Sequence, residues 1–367
     1  AGSHRPVRLA CVNQDPGVGP EREKGAAVHR REMRSAFGRL GAEVASVDHS
    51  DPLEVRRHLE QLVASGPLDL VYERYALGAF AAGKFARQRG LPHVLEVNAP
   101  LSAEARRYRP LQHRIQQTRS VAAAAERELF AGADLVLAVS TAVGAFAHDQ
   151  GARAEHVSVR PNGVDTERFH PLDASQRDAL RGELGLESRF VLGFHGRLPP
   201  WHNLELLGRA AARLLEAGVE AHVLAVGVGE FEEALGTHLA PDRWTSLGWL
   251  SREEIARLVP CFDVLPLTYG ESPDFYFSPL KLLEGMACGV VPVVPDLGDL
   301  AETVTHRRDG LVYTAGDEDG LVDQLRQLSE DEALRERLAR AGEVTAASHS
   351  WDDIARSVLS RFALIER

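Results

Sequence analysis

Lysine is nearly missing from this chain: it stands only at positions 24, 84 and 281, and arginine supplies the rest of the 42 basic residues. Such a bias makes each lysine worth locating. Cysteine is also scarce. Cys11, Cys261 and Cys288 are odd in number, far apart and without metal-ligand spacing, which excludes a disulfide framework or a cysteine metal site and predicts reduced thiols in a cytoplasm. No apolar run reaches the eighteen or so residues of a membrane-spanning helix. A basic excess is missing as well. The net charge is −11, the sum of +3 over residues 1–170 and −14 beyond, which argues against a nucleic-acid partner. The arginines at 106, 107, 109, 114 and 119 could meet an anionic acceptor or a lipid headgroup, but such a run is more often a solvated helix face. Ala1-Gly2-Ser3-His4 has neither the charged nor the apolar region of a signal peptide and is expected to lie outside the fold.

What is present is ordinary globular material, 44% hydrophobic and 26% charged, and 367 residues exceed one usual core. Two lobes are expected. In the first half, short apolar runs at 8–12, 44–47, 68–72, 93–97, 135–139 and 156–159 alternate with stretches long enough for crossover helices, the first of these at 26–40. That rhythm predicts a mainly parallel sheet with helices on both faces. It breaks in the turn-rich segment Pro161-Asn162-Gly163-Val164-Asp165. It resumes with strands at 190–194, 221–226, 245–247, 264–267, 290–294 and 311–313, and with helices at 204–217, 230–239, 279–288, 319–347 and 351–365. The fold class expected is α/β, with two doubly wound Rossmann-like lobes facing a cleft. Domains are expected at 5–172, 173–347 and 348–367, the last a helix packing back on the first lobe.

Parallel sheets place ligands at the carboxyl ends of their strands, where helix N-termini hold phosphate. The segment from Ser278 to Val294 fits that use. Ser278 is a good N-cap, with Pro279 at the first helical position. Lys281 and Glu284 share one helix face, so a cation can reach phosphate while a carboxylate accepts from ribose hydroxyls. An exposed salt bridge is the alternative use of an isolated Lys and Glu.

This segment resembles the donor-site motif of the family 4 retaining glycosyltransferases, which have the GT-B fold. Arg160 to Asp165 followed by Phe169-His170-Pro171 is similar to that family's interdomain strand and turn, and Phe194-His195-Gly196-Arg197 to its first C-terminal strand. Leu247-Gly248-Trp249-Leu250-Ser251 resembles the base-binding turn, and Asp309-Gly310-Leu311-Val312 the late turn. The resemblance implies transfer of a sugar from a nucleoside-diphosphate sugar to an acceptor hydroxyl, with no other cofactor. It implies that Arg197 and Lys281 hold the diphosphate, that Glu284 binds ribose, and that Gly25, His202, Gly248, Tyr276, Ser278 and Leu282 line the donor site.

Some positions depart from the family pattern. His202 stands where a lysine usually follows the phosphate-binding arginine, and Tyr276 where a sugar-contacting glutamate is common, with Glu271 and Asp274 just upstream. Asn98, near Glu96 and Glu104, occupies the place of a frequent histidine. Asn98 and Glu96 are therefore candidates for holding the acceptor rather than for covalent catalysis. No Asp-x-Asp string of the kind that holds a divalent ion under a diphosphate is recognised, so transfer is expected to be metal-independent, in the cytoplasm, and part of secondary-metabolite or glycoconjugate assembly. A catalytically silent sugar-nucleotide binding protein, a cyclitol-coupling relative and a nucleotide-sugar epimerase are the alternatives. A nicotinamide dehydrogenase is disfavoured because Gly17-Val18-Gly19 lacks a third glycine.

Overall fold

The run Leu9-Ala10-Cys11-Val12 is apolar without alternation, as a strand covered on both faces requires, and it forms the centre of strand β1, Arg8–Asn13. The computed structural model describes residues 5–15, 25–108, 116–197, 202–227, 229–270 and 275–365, with side chains left undescribed at 25, 26, 105–108 and 116–122. The chain separates into two units. One holds residues 1–162, 276–278 and 351–367, and the other 163–275 and 279–350. The inclusion of 276–278 in the first unit has no counterpart in the sequence pattern.

In the first unit β1 is followed by helix α1 (Gly25–Arg39), β2 (Glu43–Asp48), α2 (Pro52–Ala64), β3 (Leu70–Arg74), α3 (Ala81–Arg89) and β4 (His93–Val97). Helices α4 (Leu101–Tyr108) and α5 (Gln116–Gly132) then lead to β5 (Leu135–Ala138), α6 (Thr141–Asp149) and β6 (Val157–Val159). The strands are parallel in the order β2-β1-β3-β4-β5-β6. Asp51 starts α2 by accepting from Leu53 N, and Ser140 starts α6 by accepting from Val143 N, each satisfying an orphan amide of the first turn. One face of the sheet carries two separate apolar clusters. Val55, Leu59 and Phe85 belong to one, and Leu95, Phe130 and Val143 to the other.

The second unit runs α7 (Ala174–Glu183), β7 (Phe190–His195), α8 (Leu204–Glu216), β8 (Ala221–Val226), α9 (Phe231–Gly236), β9 (Trp244–Ser246), α10 (Arg252–Leu258) and β10 (Val264–Pro266). It continues with α11 (Leu280–Ala287), β11 (Val291–Pro295), α12 (Leu300–Thr303), β12 (Leu311–Tyr313), α13 (Glu318–Glu330) and α14 (Glu332–Ala347). Its sheet is also parallel, in the order β12-β11-β10-β7-β8-β9. Capping boxes begin α7, from Asp173 with Gln176, and α10, from Ser251 with Glu254. The helix expected over 319–347 is instead two. Asp331 leaves helical backbone geometry (φ −115°, ψ 88°) and its side chain accepts from Leu334 N, which ends α13 and caps α14.

The chain then returns to the first unit as α15 (Trp351–Arg361), which lies on α1. Trp351 is buried edge-on against His29 with ring centroids 4.9 Å apart, and Arg39 pairs with Asp352 at 2.5 Å. Among the described residues no helix is long and apolar enough to cross a membrane.

Candidate active site

In the second unit, chemistry gathers where β7 ends and α11 begins. Gly196 follows β7 at φ +103°. Gly227 follows β8, and a Cβ there would lie 1.9 Å from Gly196 O, so only glycine lets the two strand ends meet. Arg197 comes next and is exposed. Lys281 and Glu284, from the first two turns of α11, are both buried.

Glu284 is held from two sides. Arg252, the first residue of α10, donates to its Oε1 at 2.7 Å, and His195 Nδ1 lies 3.6 Å from its Oε2. Burial alone would raise the Glu284 pKa, but Arg252 and His195 outweigh it and hold the group below the ordinary carboxylate range. Burial brings His195 down to about 4 against the pull of Glu284, so its ring is neutral at pH 7. Glu284 is thus an ionised acceptor inside the protein, suited to hydroxyl donors.

Lys281 is placed differently. Its Nζ lies 4.1 Å from the centroid of the Phe194 ring and 3.3 Å from His202 Nε2. Burial lowers its pKa to about 7, with Glu284 offsetting only part of the cost. Among the described residues it makes no ion pair. His202 is driven to about 2 by burial and then by Lys281, so it is neutral and accepts from Lys281 at Nε2. A buried amine facing an aromatic ring and a neutral imidazole is a cation site lacking its anion.

The base-turn residue Gly248 takes φ +69° just after β9, beside the exposed Trp249. Leu282 is buried and its N–H already donates to Pro279 O at 3.1 Å, which leaves it without a group for a ligand. Ser278 does not cap α11, contrary to expectation. The helix starts at Leu280, Pro279 occupies the cap position without a side-chain bond, and Ser278 Oγ accepts from Asn162 N at 2.9 Å. An extended amide competes successfully for that hydroxyl.

A second cluster lies in the first unit. Glu96, at the end of β4, is buried, accepts from Arg74 Nη1 at 2.6 Å, and has His29 Nε2 3.3 Å from its Oε2. Burial would raise its pKa, but His29 and then Arg74 bring it down to about 2. Glu96 is therefore ionised near neutral pH and a weak acceptor for a transferred proton. Asn98 donates its Nδ2 to Glu96 Oε1. Tyr276 donates its hydroxyl to Glu104 and accepts at its carbonyl from Ser140 Oγ at 2.8 Å. Gly25 is the first residue of α1; Lys24, Glu271 and Asp274 lie outside the described residues.

The structure thus joins Lys281, Glu284 and His202 in one unit, and Glu96 with Asn98 in the other. It adds partners that the sequence reading passed over: Arg252, His195, His29, Arg74 and Asn162. His195 and Arg252 fall within or directly beside the quoted strings, but nothing in their spacing marks them as partners of Glu284. One Asp-x-Asp string does occur in the chain, Asp317-Glu318-Asp319. It forms the start of α13, where Asp317 caps Gly320 N and Glu318 and Asp319 pair with Arg209 and Arg213.

Comparison with known proteins accords with this arrangement. Residues 189–331 match the family described as glycosyl transferases group 1, and residues 1–163 the glycosyl transferase 4-like domain. A D-inositol 3-phosphate glycosyltransferase of Catenulispora acidiphila is 31% identical over 328 residues, 82% of this chain and 73% of that protein. A GDP-mannose-dependent monoacylated alpha-(1-6)-phosphatidylinositol monomannoside mannosyltransferase of Corynebacterium glutamicum is 30% identical over 200 residues. That match spans about half of each protein, 52% in both cases. Among solved structures, Anabaena HepE in complex with UDP and glucose superposes with a TM-score of 0.73 at 21% identity, covering 98% of this chain and all of that one. Two parallel six-stranded sheets, matching domains in both halves and a relative aligned over most of its length place the chain in family 4 of the glycosyltransferases, with the GT-B fold.

Proposed function

We propose that this protein is a retaining, metal-independent glycosyltransferase that moves a sugar from a nucleoside-diphosphate sugar to an acceptor hydroxyl. The observation that carries the reading is the unpaired amine of Lys281, buried one turn from the ionised Glu284. A diphosphate would supply the anion that Lys281 lacks, with exposed Arg197 as a second cation and neutral His202 as a further hydrogen-bonding group. Glu284, oriented by Arg252, would accept from ribose hydroxyls.

Transfer with retention then needs no protein nucleophile. Glu96 is occupied by Arg74 and His29 and holds no proton to exchange. The leaving diphosphate itself is the base that takes the acceptor's proton, while Lys281 and Arg197 stabilise the charge that develops on it. The relatives named for inositol phosphate and phosphatidylinositol acceptors favour a polyol phosphate as acceptor in glycoconjugate or secondary-metabolite assembly. A thermal-shift panel of UDP, GDP, TDP and ADP sugars identifies the donor, because a ligand bound only by the folded state raises its stability. Transfer assays with that donor, read by the anomeric configuration of the product, test the reaction. Donor binding without release of nucleoside diphosphate in the presence of any polyol acceptor would reduce the protein to a sugar-nucleotide binder.

A further inference from the structure

Helix α1 carries two stripes. Met33, Ala36 and Phe37 are buried, and Phe37 packs edge-on against Tyr72 of β3. Ala27, Arg30, Arg31, Arg34 and Ser35 recur at steps of three and four residues, so they share another face of the same helix. Together with Val44 of the edge strand β2 they line a cavity of about 320 Å³ within the first unit. A helical stripe that lines a cavity beside a sheet is ordinarily apolar. This one is mostly arginine.

The charges around the cavity do not cancel. Arg30 is buried and pairs with Asp48 at the end of β2. Arg31 is exposed and Arg34 half-buried, and among the described residues neither has an ion pair or a hydrogen bond. Arg34 Nε is buried without a partner. Glu43, the neighbour of Val44, points to the opposite face of β2, where it lies 4.0 Å from Arg8. The Cys11 thiol feels Arg34, but burial pushes it up to about 12, so it stays neutral. Two guanidiniums three residues apart on a helix repel each other, and elsewhere in this unit the chain supplies carboxylates: Asp352 for Arg39, Glu54 for Arg57, Glu60 for Arg89. A buried N–H with no acceptor costs free energy that a bound anion would recover.

The residues also select the kind of anion. Two unmatched cations fit a dianion, their planar forks fit oxygens on one tetrahedral centre, and Ser35 on the same stripe brings a hydroxyl for a third oxygen. A phosphate monoester, with a charge of about −1.5 to −2 at pH 7, meets all three conditions, whereas a carboxylate has neither the charge nor the oxygens. The cavity is at the lower end of small-molecule pockets, roughly 300–1,000 Å³. We propose that it is an anion site taking the phosphate monoester of a small soluble molecule or of a lipid headgroup on Arg31, Arg34 and Ser35. The site shares no residue with Lys281 and Glu284 or with Glu96 and Asn98, and it stands without the transferase reading.

Glycerol 3-phosphate, and phosphatidylcholine vesicles carrying phosphatidic acid, present the same monoester in solution and on a membrane. In Lys281→Met, which removes the other unpaired buried cation, one of the two forms should still bind saturably. Adding Arg31→Gln and Arg34→Gln should weaken that binding about tenfold or more. Affinity should also decline as pH falls through about 6, where the monoester loses its second charge. Sedimentation with the vesicles but no binding of the free ester identifies a headgroup, and the reverse identifies a soluble phosphate. A reading that needs no variant is protection: phenylglyoxal modification of Arg31 and Arg34, located by peptide mass, should slow when the binding form is present. Binding of neither form, undiminished binding by the arginine variant, or modification at an unchanged rate under saturation overturns the site.

Discussion

Changing pH alone perturbs Lys281, because burial has brought its pKa to about 7 in the free protein. A bound diphosphate would restore the charge-pair partner and return the pKa toward its ordinary value near 10.4. Binding then takes up a proton wherever the free amine is neutral. At pH 8 the free amine is roughly nine-tenths neutral and at pH 6 roughly one-tenth, so uptake should be about 0.9 and about 0.1 proton per ligand. Above pH 7 the affinity should fall by up to about tenfold per pH unit, or about 1.4 kcal/mol. The ligand should be an intact nucleotide sugar, whose diester phosphates do not titrate in this range. Titration calorimetry in two buffers of different ionisation enthalpy reads the uptake directly. In Lys281→Met the uptake should vanish at both pH values, which separates Lys281 from His202 as the group that titrates. Uptake near zero at pH 8 in the parent, or unchanged uptake in Lys281→Met, refutes a diphosphate seated on Lys281.

The same amine should penalise the free fold. Its folded pKa lies below its unfolded one, so the penalty is complete below about pH 7 and fades as pH rises toward 10.5. Urea unfolding should show the parent gaining stability from pH 7 to 9, and Lys281→Met should be more stable than the parent at pH 7, by on the order of 2–4 kcal/mol; a variant less stable than the parent at pH 7 contradicts the burial argument. Glu284→Ala should weaken nucleotide-sugar binding by about 1–3 kcal/mol, the cost of an unpaired partner, and equal affinity removes Glu284 from the site. Arg197→Ala should lower affinity for the nucleoside diphosphate more than for the monophosphate, and equal losses would mean that Arg197 acts only at long range. EDTA should leave transfer unchanged, whereas loss of activity restored by magnesium or manganese refutes metal independence. Trp351→Ala should cost about 3–5 kcal/mol, because its indole is 1% exposed between α15 and α1; a cost below 1 kcal/mol would show α15 to be dispensable.

The parallel sheets were legible because each strand buried on both faces is an unbroken apolar run. Leu9 to Val12 and Val291 to Val294 stand out by composition alone, and Gly and Pro punctuate the turns between them. Element ends were less so. The break between α13 and α14 depends on Asp331 competing with the backbone for its own amides, a local choice that helix periodicity hides. Likewise Ser278, a plausible cap by its position before Pro279, is taken by the Asn162 amide, 116 residues away in sequence. No local pattern contains that competitor.

Site chemistry divides along the same line. Lys281 and Glu284 were visible because both sit on one helix, where spacing determines facing. What spacing could not supply is their electrical state, which comes from other elements: Phe194 and His202 around the amine, Arg252 and His195 around the carboxylate. The two residues differ only three positions in sequence, yet burial acts on them with opposite results. It pushes Lys281 toward neutrality because Glu284 offsets only part of the cost, and it fails to neutralise Glu284 because Arg252 and His195 outweigh it. A purely structural helix would gain more from pairing these two charges with each other than from leaving the amine unmatched. The mismatch of one unit of charge is therefore the part of α11 that folding does not explain and that an anionic ligand does.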